Sequence, residues 1–167
     1  MVAFPPLRIK QATKEDVPLI LTFIRELAQH ERALDRVSAT EDGLLVTLFG
    51  PRPYAEAVIA YKNDEPVAFA LYFFSYTSFS ALPGLYLEDI FVRPATRGLG
   101  VGRQLFAFLA QRAIERNCAR MEWSVLNWNE PAIRFYENLS AEPVQDWTVF
   151  HLSKDKMAQL ANDPAIG

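Results

Sequence analysis

A chain of 167 residues, half of them hydrophobic, fits one domain that buries roughly two thirds of its unfolded surface, and it is too apolar for intrinsic disorder. Its 17 basic and 20 acidic side chains leave a formal charge of −3, which argues against nucleic acid as the principal partner. The longest apolar run, residues 67–74, is far short of the roughly 20 residues that span a bilayer, so no membrane association is expected. Residues 1–7 carry no basic cluster and contain Pro5-Pro6, and they read as no signal peptide. The single cysteine, Cys118, allows no internal disulfide and suits a reducing cytoplasm; it reads as a small buried hydrophobe at the start of a strand. His30 and His151 lack neighbours at metal-ligand spacing, so no metal is expected.

In chain order, residues 7–12 alternate apolar and polar as a half-buried strand does. Thr13-Lys14-Glu15-Asp16 resembles a capping box, and Val17, Ile20, Leu21, Ile24, Leu27 and Ala28 then form one helical face. Pro18 is tolerated only in the first turn, which moves the helix start toward Asp16. Ser38-Ala39-Thr40-Glu41 reads as a second capping box for a helix with Leu44, Leu45, Leu48 and Phe49 on its face, stopped by Gly50-Pro51. Residues 57–61 and 67–75, joined by a turn at 62–66, read as a hairpin. A central strand (85–92), a glycine-led helix, a strand at 120–126 and a short helix from Asn129 to Asn138 follow. Pro131 falls in the first turn of that short helix. Residues 147–152 read as a last strand and 154–161 as a polar helical tail. No repeat or linker interrupts the chain, so residues 1–167 are expected to form a single α/β domain with a mixed sheet.

The most informative stretch joins the central strand to its helix. Leu85-Tyr86-Leu87-Glu88-Asp89-Ile90-Phe91-Val92 ends at Arg93-Pro94, and Arg97-Gly98-Leu99-Gly100-Val101-Gly102 leads into a helix marked by Leu105, Phe108, Leu109 and Ala113. A helix N-terminus presents unpaired N–H groups, and glycines let a bulky anion approach them. The spacing fits neither the Walker loop, since Gly102 is followed by Arg103-Gln104, nor Gly-x-Gly-x-x-Gly. Three glycines can equally make nothing more than a tight turn. Yet no acidic residue lies between Ile90 and Ile114, while Arg93, Arg97, Arg103 and Arg112 do. In an acidic chain that local cationic field points to an anionic ligand.

Arg-x-x-Gly-x-Gly after a strand resembles the GCN5-related N-acetyltransferases (GNAT). The fold this implies is a mixed, mostly antiparallel twisted sheet flanked by helices. Together with Trp128-Asn129-Glu130-Pro131-Ala132-Ile133-Arg134-Phe135-Tyr136 and Ile24-Arg25-Glu26-Leu27-Ala28, the likeness is to the diamine (spermidine/spermine-type) and thialysine acetyltransferases. It implies acetyl-CoA as co-substrate, with Ile90, Phe91 and Val92 along the pantetheine arm. Arg97, Gly98, Leu99, Gly100, Val101 and Gly102 would wrap the pyrophosphate, and Asn129, Ala132 and Tyr136 would lie beside the cofactor. By the same resemblance Tyr136 would protonate the departing thiolate, Glu88 would help take the amine proton, and His30, Glu31, Glu88 and Asp89 would contact the substrate. A homodimer is also implied. This chain departs from the pattern at His30, where a Tyr is usual, at Ser78, where an acid is expected, and in a shortened segment around Gln145.

The chemistry agrees with these roles. An aliphatic amine, with a pKa near 10, arrives as an ammonium and must lose a proton before attack, and a thiolate leaves more easily if an acid protonates it. Tyr136 shares a helical face with Asn129, Ala132 and Ile133, a spacing that serves core packing as readily as catalysis. Adjacent Glu88 and Asp89 point to opposite faces of a regular strand, and both reach one cleft only if a β-bulge intervenes; otherwise one of them is a solvated charge. The expected activity is acetylation of a small primary amine: a short diamine, a polyamine or a lysine-like amino acid. The alternatives are a protein lysine or N-terminal acetyltransferase and a non-catalytic acyl-CoA sensor.

Overall fold

The computed structural model describes residues 7–163, and the strand-like segments of the first 124 residues pair into one five-stranded sheet in the order β1-β2-β3-β4-β5. The leader reading of the first residues lies outside the described range. Two units are distinguished, Met1–Ser124 and Val125–Gly167.

In the first unit the strands are β1 (Arg8–Gln11), β2 (Glu56–Lys62), β3 (Glu65–Thr77), β4 (Leu82–Val92) and β5 (Met121–Trp123). Neighbours are antiparallel except β4 and β5, which are parallel. The β2–β3 hairpin closes through Asn63 and Asp64, both at positive φ (50° and 66°), the two-residue turn whose twist matches that of the flanking strands. A parallel pair needs a crossover, supplied here by α3 (Val101–Glu115).

Three helices flank the sheet. Thr13 opens the first: its backbone N–H donates to Asp16 Oδ2 at 2.9 Å, a 3₁₀ turn at Lys14–Asp16 follows, and α1 runs Val17–His30 with Pro18 in its first turn. Helix α2 (Glu41–Phe49) is capped by Thr40, whose Oγ1 accepts from Gly43 N–H at 3.1 Å. The box expected from Ser38 is therefore displaced by two residues, because it is Thr40 that has the extended backbone a cap requires. Leu45 also leaves the expected face and is exposed.

On one side of the sheet, Ile20 and Phe23 of α1 and Leu48 of α2 pack with Ala57, Ile59, Phe69 and Phe91. The Phe23 and Phe69 rings stack at 5.1 Å. Phe23 was not among the residues that the helical pattern selected, yet it is fully buried. Strand alternation sends Val58, Ala60, Ala68, Ala70, Tyr72, Leu85 and Leu87 to the other side; all are buried, as are Val101, Leu105 and Leu109 of α3.

Strand β5 is shorter than the expected 120–126. Cys118 lies ahead of it, half-buried in the loop rather than buried in a strand. It follows Asn117 (φ 54°), and the Cys118 N–H returns to Ala113 O at 2.8 Å, closing α3 with a Schellman turn.

The second unit holds α4 (Glu130–Glu137) and α5 (Lys154–Ala161). The last strand expected at residues 147–152 does not form; that segment is irregular and exposed. Aromatic and β-branched residues at Trp147, Thr148, Val149 and Phe150 supply strand propensity, but a strand also needs a neighbouring edge to take its N–H and C=O groups, and none is paired with it among the described residues.

Phe69 is fully buried and stacked, so Phe69→Ala is expected to destabilise the protein by about 3–5 kcal/mol. Urea unfolding read from the midpoint at constant slope measures this.

Candidate active site

Strand β4 carries an irregularity where the sequence places two acids. Opposite it on β3, Leu71 pairs with Asp89 and Tyr72 with Leu87, so Glu88 has no partner. This is a β-bulge. It rephases the strand: Leu87 follows Tyr72 to the α3 side, whereas Asp89 follows Leu71 to the side of α1 and α2. Glu88, between them, is exposed, and Asp89 is half-buried. The irregularity required for both acids to serve one cleft is present, but Glu88 is not sheltered by Leu87 and Ile90 as its sequence neighbours suggest.

The same point marks the end of the ladder on the strand's other edge. Strand β5 pairs with β4 only over Leu85, Tyr86 and Leu87. Beyond that, Ile90, Phe91 and Val92 have no strand partner on this side among the described residues, which leaves the outward backbone groups of alternate residues, apart from Val92 O that accepts from Arg97, able to bind an extended ligand.

Helix α1 brings its C-terminal end to the same face as Asp89. Its last turn closes as a Schellman motif: Arg32 takes φ 58°, and the Ala33 N–H donates to Ala28 O at 2.8 Å. That turn holds Glu31, half-buried at the C-cap, and exposed His30, whose ring lies 6.3 Å from that of Phe91. Burial pushes the Asp89 carboxyl up to about 6, helped by the negative charges of Glu88 and Glu31. Glu88 and Glu31 thus act on Asp89 electrostatically at the bulge, and no group of three or more His, Cys, Asp or Glu is arranged to hold a metal among the described residues. Ser78 sits exposed in the turn between β3 and β4.

At the other end of β4 the chain turns into α3. Gly98 and Gly100 both hold φ 77°, a conformation that side-chain-bearing residues rarely adopt, and a Cβ on Gly98 would meet nothing within 4 Å. Gly100 is the N-cap of α3 and has no side chain to offer. The first helical bond runs from Gln104 N–H to Gly100 O at 3.0 Å, so the N–H groups of Val101, Gly102 and Arg103 precede it at the helix's positive end, a setting that favours an anion. Leu99 is exposed. Arg97 donates from Nε to Val92 O at 2.9 Å, which anchors its guanidinium to the exit of β4.

The cationic field inferred from the sequence is smaller than the residue count implies. Arg93 is taken by Glu26 (2.8 Å) and Arg112 by Glu115 (3.4 Å). Among the described residues, Arg97 and Arg103 have no carboxylate partner and remain to meet an anion. The Arg93–Glu26 pair was invisible to the sequence analysis because 67 positions separate its members and no local pattern links the two stretches that hold them.

In the second unit, α4 is capped by Asn129, whose Oδ1 accepts from Ala132 N–H at 3.4 Å. Asn129, Ala132, Ile133 and Tyr136 are half-buried, whereas Glu130, Pro131, Arg134 and Glu137 are exposed, as the shared face requires. The Tyr136 ring meets that of Phe135 edge-on at 5.5 Å.

A sheet with a bulged fourth strand, an open edge beside it and a glycine-led helix at its exit defines a site for an extended anionic ligand, and comparison with known proteins gives it a family. Residues 21–140 match the acetyltransferase (GNAT) family. The chain is 32% identical over 164 residues to the thialysine N-epsilon-acetyltransferase of Bos taurus, with 92% of this chain and 96% of that one covered. It is 31% identical over 198 residues to the L-ornithine N5-acetyltransferase NATA1 of Arabidopsis thaliana, covering 92% and 87%. Among solved structures, an integron cassette protein from the mobile metagenome of V. cholerae shares the fold with a TM-score of 0.79 at 24% identity, over 94% of this chain and 98% of that one. The protein belongs to the GNAT family and is an N-acetyltransferase. The family uses acetyl-CoA as co-substrate.

Asp89 has a pKa of about 6 in the folded chain against 3.8 for the free side chain. The folded state therefore binds more protons between these values, and stability falls as pH rises through that window. Asp89→Asn is expected to raise the melting temperature at about pH 8, with the gain vanishing at about pH 4; calorimetry at the two pH values checks this.

Proposed function

We propose that this enzyme transfers the acetyl group of acetyl-CoA directly to a primary amine of a small molecule, with a short diamine or lysine-like amino acid preferred to spermine. The observation that carries the reading is the meeting of Glu31, Glu88 and Asp89 at the bulge, on the strand that leads into the anion-binding turn. Relatives named for thialysine and ornithine substrates support the same substrate class.

The residues present fit acetyl-CoA. Arg97 and the amides from Gly98 to Gly102 and Arg103 would hold the pyrophosphate, and the open edge at Ile90, Phe91 and Val92 would pair with the pantetheine arm; the family resemblance adds Asn129 and Ala132 as cofactor-binding residues. When bound, acetyl-CoA supplies an acetyl group activated as a thioester. Asp89 and Glu31 attract the ammonium and hold it by charge. Exposed Glu88 accepts the amine's proton through water and returns it to solvent, and His30 borders the pocket. Positioning of the two reactants provides the effective molarity, so no covalent intermediate on the protein is needed. Tyr136 donates its hydroxyl proton to the departing sulfur.

A cytoplasmic homodimer belongs to this reading. Exposed apolar side chains at Val144, Trp147, Val149 and Phe150 support the dimer, and sedimentation velocity tests it.

Turnover with acetyl-CoA on putrescine, ornithine, thialysine, spermine and a histone-like peptide is the direct test. The short amines are expected to lead in kcat/KM; a tenfold advantage for spermine would overturn the substrate preference. Turnover on the peptide alone would indicate a protein acetyltransferase, and acetyl-CoA binding without turnover a sensor. Tyr136→Phe is expected to lower kcat by about 10²–10⁴ while acetyl-CoA affinity holds. Arg97→Ala should instead weaken acetyl-CoA by roughly tenfold, since a charge-assisted contact is lost; calorimetric titration separates the two effects.

A further inference from the structure

Arg93, the first residue after β4, ties three elements together with one side chain. Its Nη2 and Nε donate to the two carboxylate oxygens of Glu26 on α1, at 2.8 and 3.0 Å. Its Nη1 donates to Pro66 O at the start of β3, at 2.8 Å. The guanidinium also covers the Phe23 ring at 4.7 Å. Thus the fork of the bidentate pair, a backbone carbonyl and an aromatic face fix the group in every direction it can move. Both partners are about a third exposed (32% and 31%), a setting in which an ion pair contributes modestly to stability. What such a pair supplies is geometry.

The geometry concerns α1. That helix packs on the sheet through Ile20 and Phe23, and apolar packing is non-directional, so by itself it tolerates small slides of the helix along the strands. Glu26 precedes Glu31 by five residues, about 7.5 Å along the helix axis. Arg93 follows Asp89 by four residues, about 13 Å along an extended strand. Fixing Glu26 to Arg93 therefore fixes how closely Glu31 approaches Asp89.

We infer that Arg93 is a positioning residue which, by clamping Glu26, sets the spacing between Glu31 at the end of α1 and Asp89 at the bulge, and so selects the length and charge of the amine held there. This role rests on the substrate reading above. The guanidinium is accordingly not part of the pyrophosphate site, although the turn begins next to it. The turn is fastened to Arg93 by the backbone, since Thr96 N–H and Oγ1 reach Arg93 O at 2.9 and 3.0 Å, and these contacts survive replacement of the side chain. The charged groups that face Asp89 are Glu88 from its own strand and Glu31 from α1, with the His30 ring beyond at Phe91.

The test uses Arg93→Ala, Glu26→Gln and the charge-swapped pair Arg93→Glu/Glu26→Arg in the full-length enzyme, with putrescine and ornithine as amines. Two readouts are taken: KM for amine against KM for acetyl-CoA, and the titration of the Asp89 carboxyl by ¹³C NMR. Both single variants are expected to raise the amine KM roughly tenfold while the acetyl-CoA KM stays within about twofold. The Asp89 midpoint should move down by about 0.5 pH or more as Glu31 withdraws, and the swapped pair should recover part of both. An unchanged amine KM with an unchanged Asp89 midpoint overturns the inference. So does a parallel rise in both KM values that tracks a fall in melting temperature, which is the mark of a general structural role. If the wild type acetylates none of the amines, the substrate reading fails, and the Asp89 titration alone then decides whether the clamp exists.

Discussion

One extra residue in β4 governs the site. In an antiparallel ladder each residue is answered by one across the way, and side chains alternate faces in step. Inserting Glu88 without a partner breaks that step once. Before it the odd-numbered positions, Leu85 and Leu87, pack on the α3 side; after it the odd-numbered positions, Asp89 and Phe91, turn to the α1 side. Fully buried Leu87 and half-buried Asp89 can therefore be two residues apart and face opposite sides of the same sheet. A regular strand would have sent Asp89 to the α3 side with Leu87, away from Glu31.

The bulge also coincides with the end of the pairing to β5, at Leu87 and Trp123. A parallel partner along the whole of β4 would close the slot through which an extended ligand reaches the backbone at Ile90 to Val92. The crossover helix then starts from Gly100, whose φ of 77° and missing side chain leave the first amides of α3 uncapped. The slot and the uncapped helix end are consecutive in the chain, so one uninterrupted stretch of about fifteen residues supplies both backbone-lined features.

The electrostatics run against stability and toward binding. Placing Asp89 half out of water near two like charges raises its pKa to about 6, a cost that an arriving ammonium offsets, because an opposite charge favours the ionised form. Arg93 could have relieved part of this repulsion had it faced the carboxylates. Its charge is instead held by Glu26, which leaves the negative cluster uncompensated for a cationic substrate.

Much of this was legible in the sequence because it is written locally. The helical faces of α1 and α3, the Asn129 cap with Pro131 behind it, and the strand, glycine turn and helix from Leu85 to Glu115 each depend on residues within a few positions of one another. The resemblance to acetyltransferases rests on those same local patterns, as does the requirement that Glu88 and Asp89 need an irregular strand. Non-local consequences had to come from the tertiary structure. Which of two adjacent acids is sheltered depends on where the unpaired residue falls against Leu71 and Tyr72, and the fold leaves Glu88 exposed and half-buries Asp89. The apparent surplus of arginines shrank because Glu26 is brought to Arg93 from 67 residues away. The segment from Trp147 to Leu152 has the composition of a strand but no edge to pair with among the described residues, and backbone pairing is a property of two segments that neither one encodes by itself.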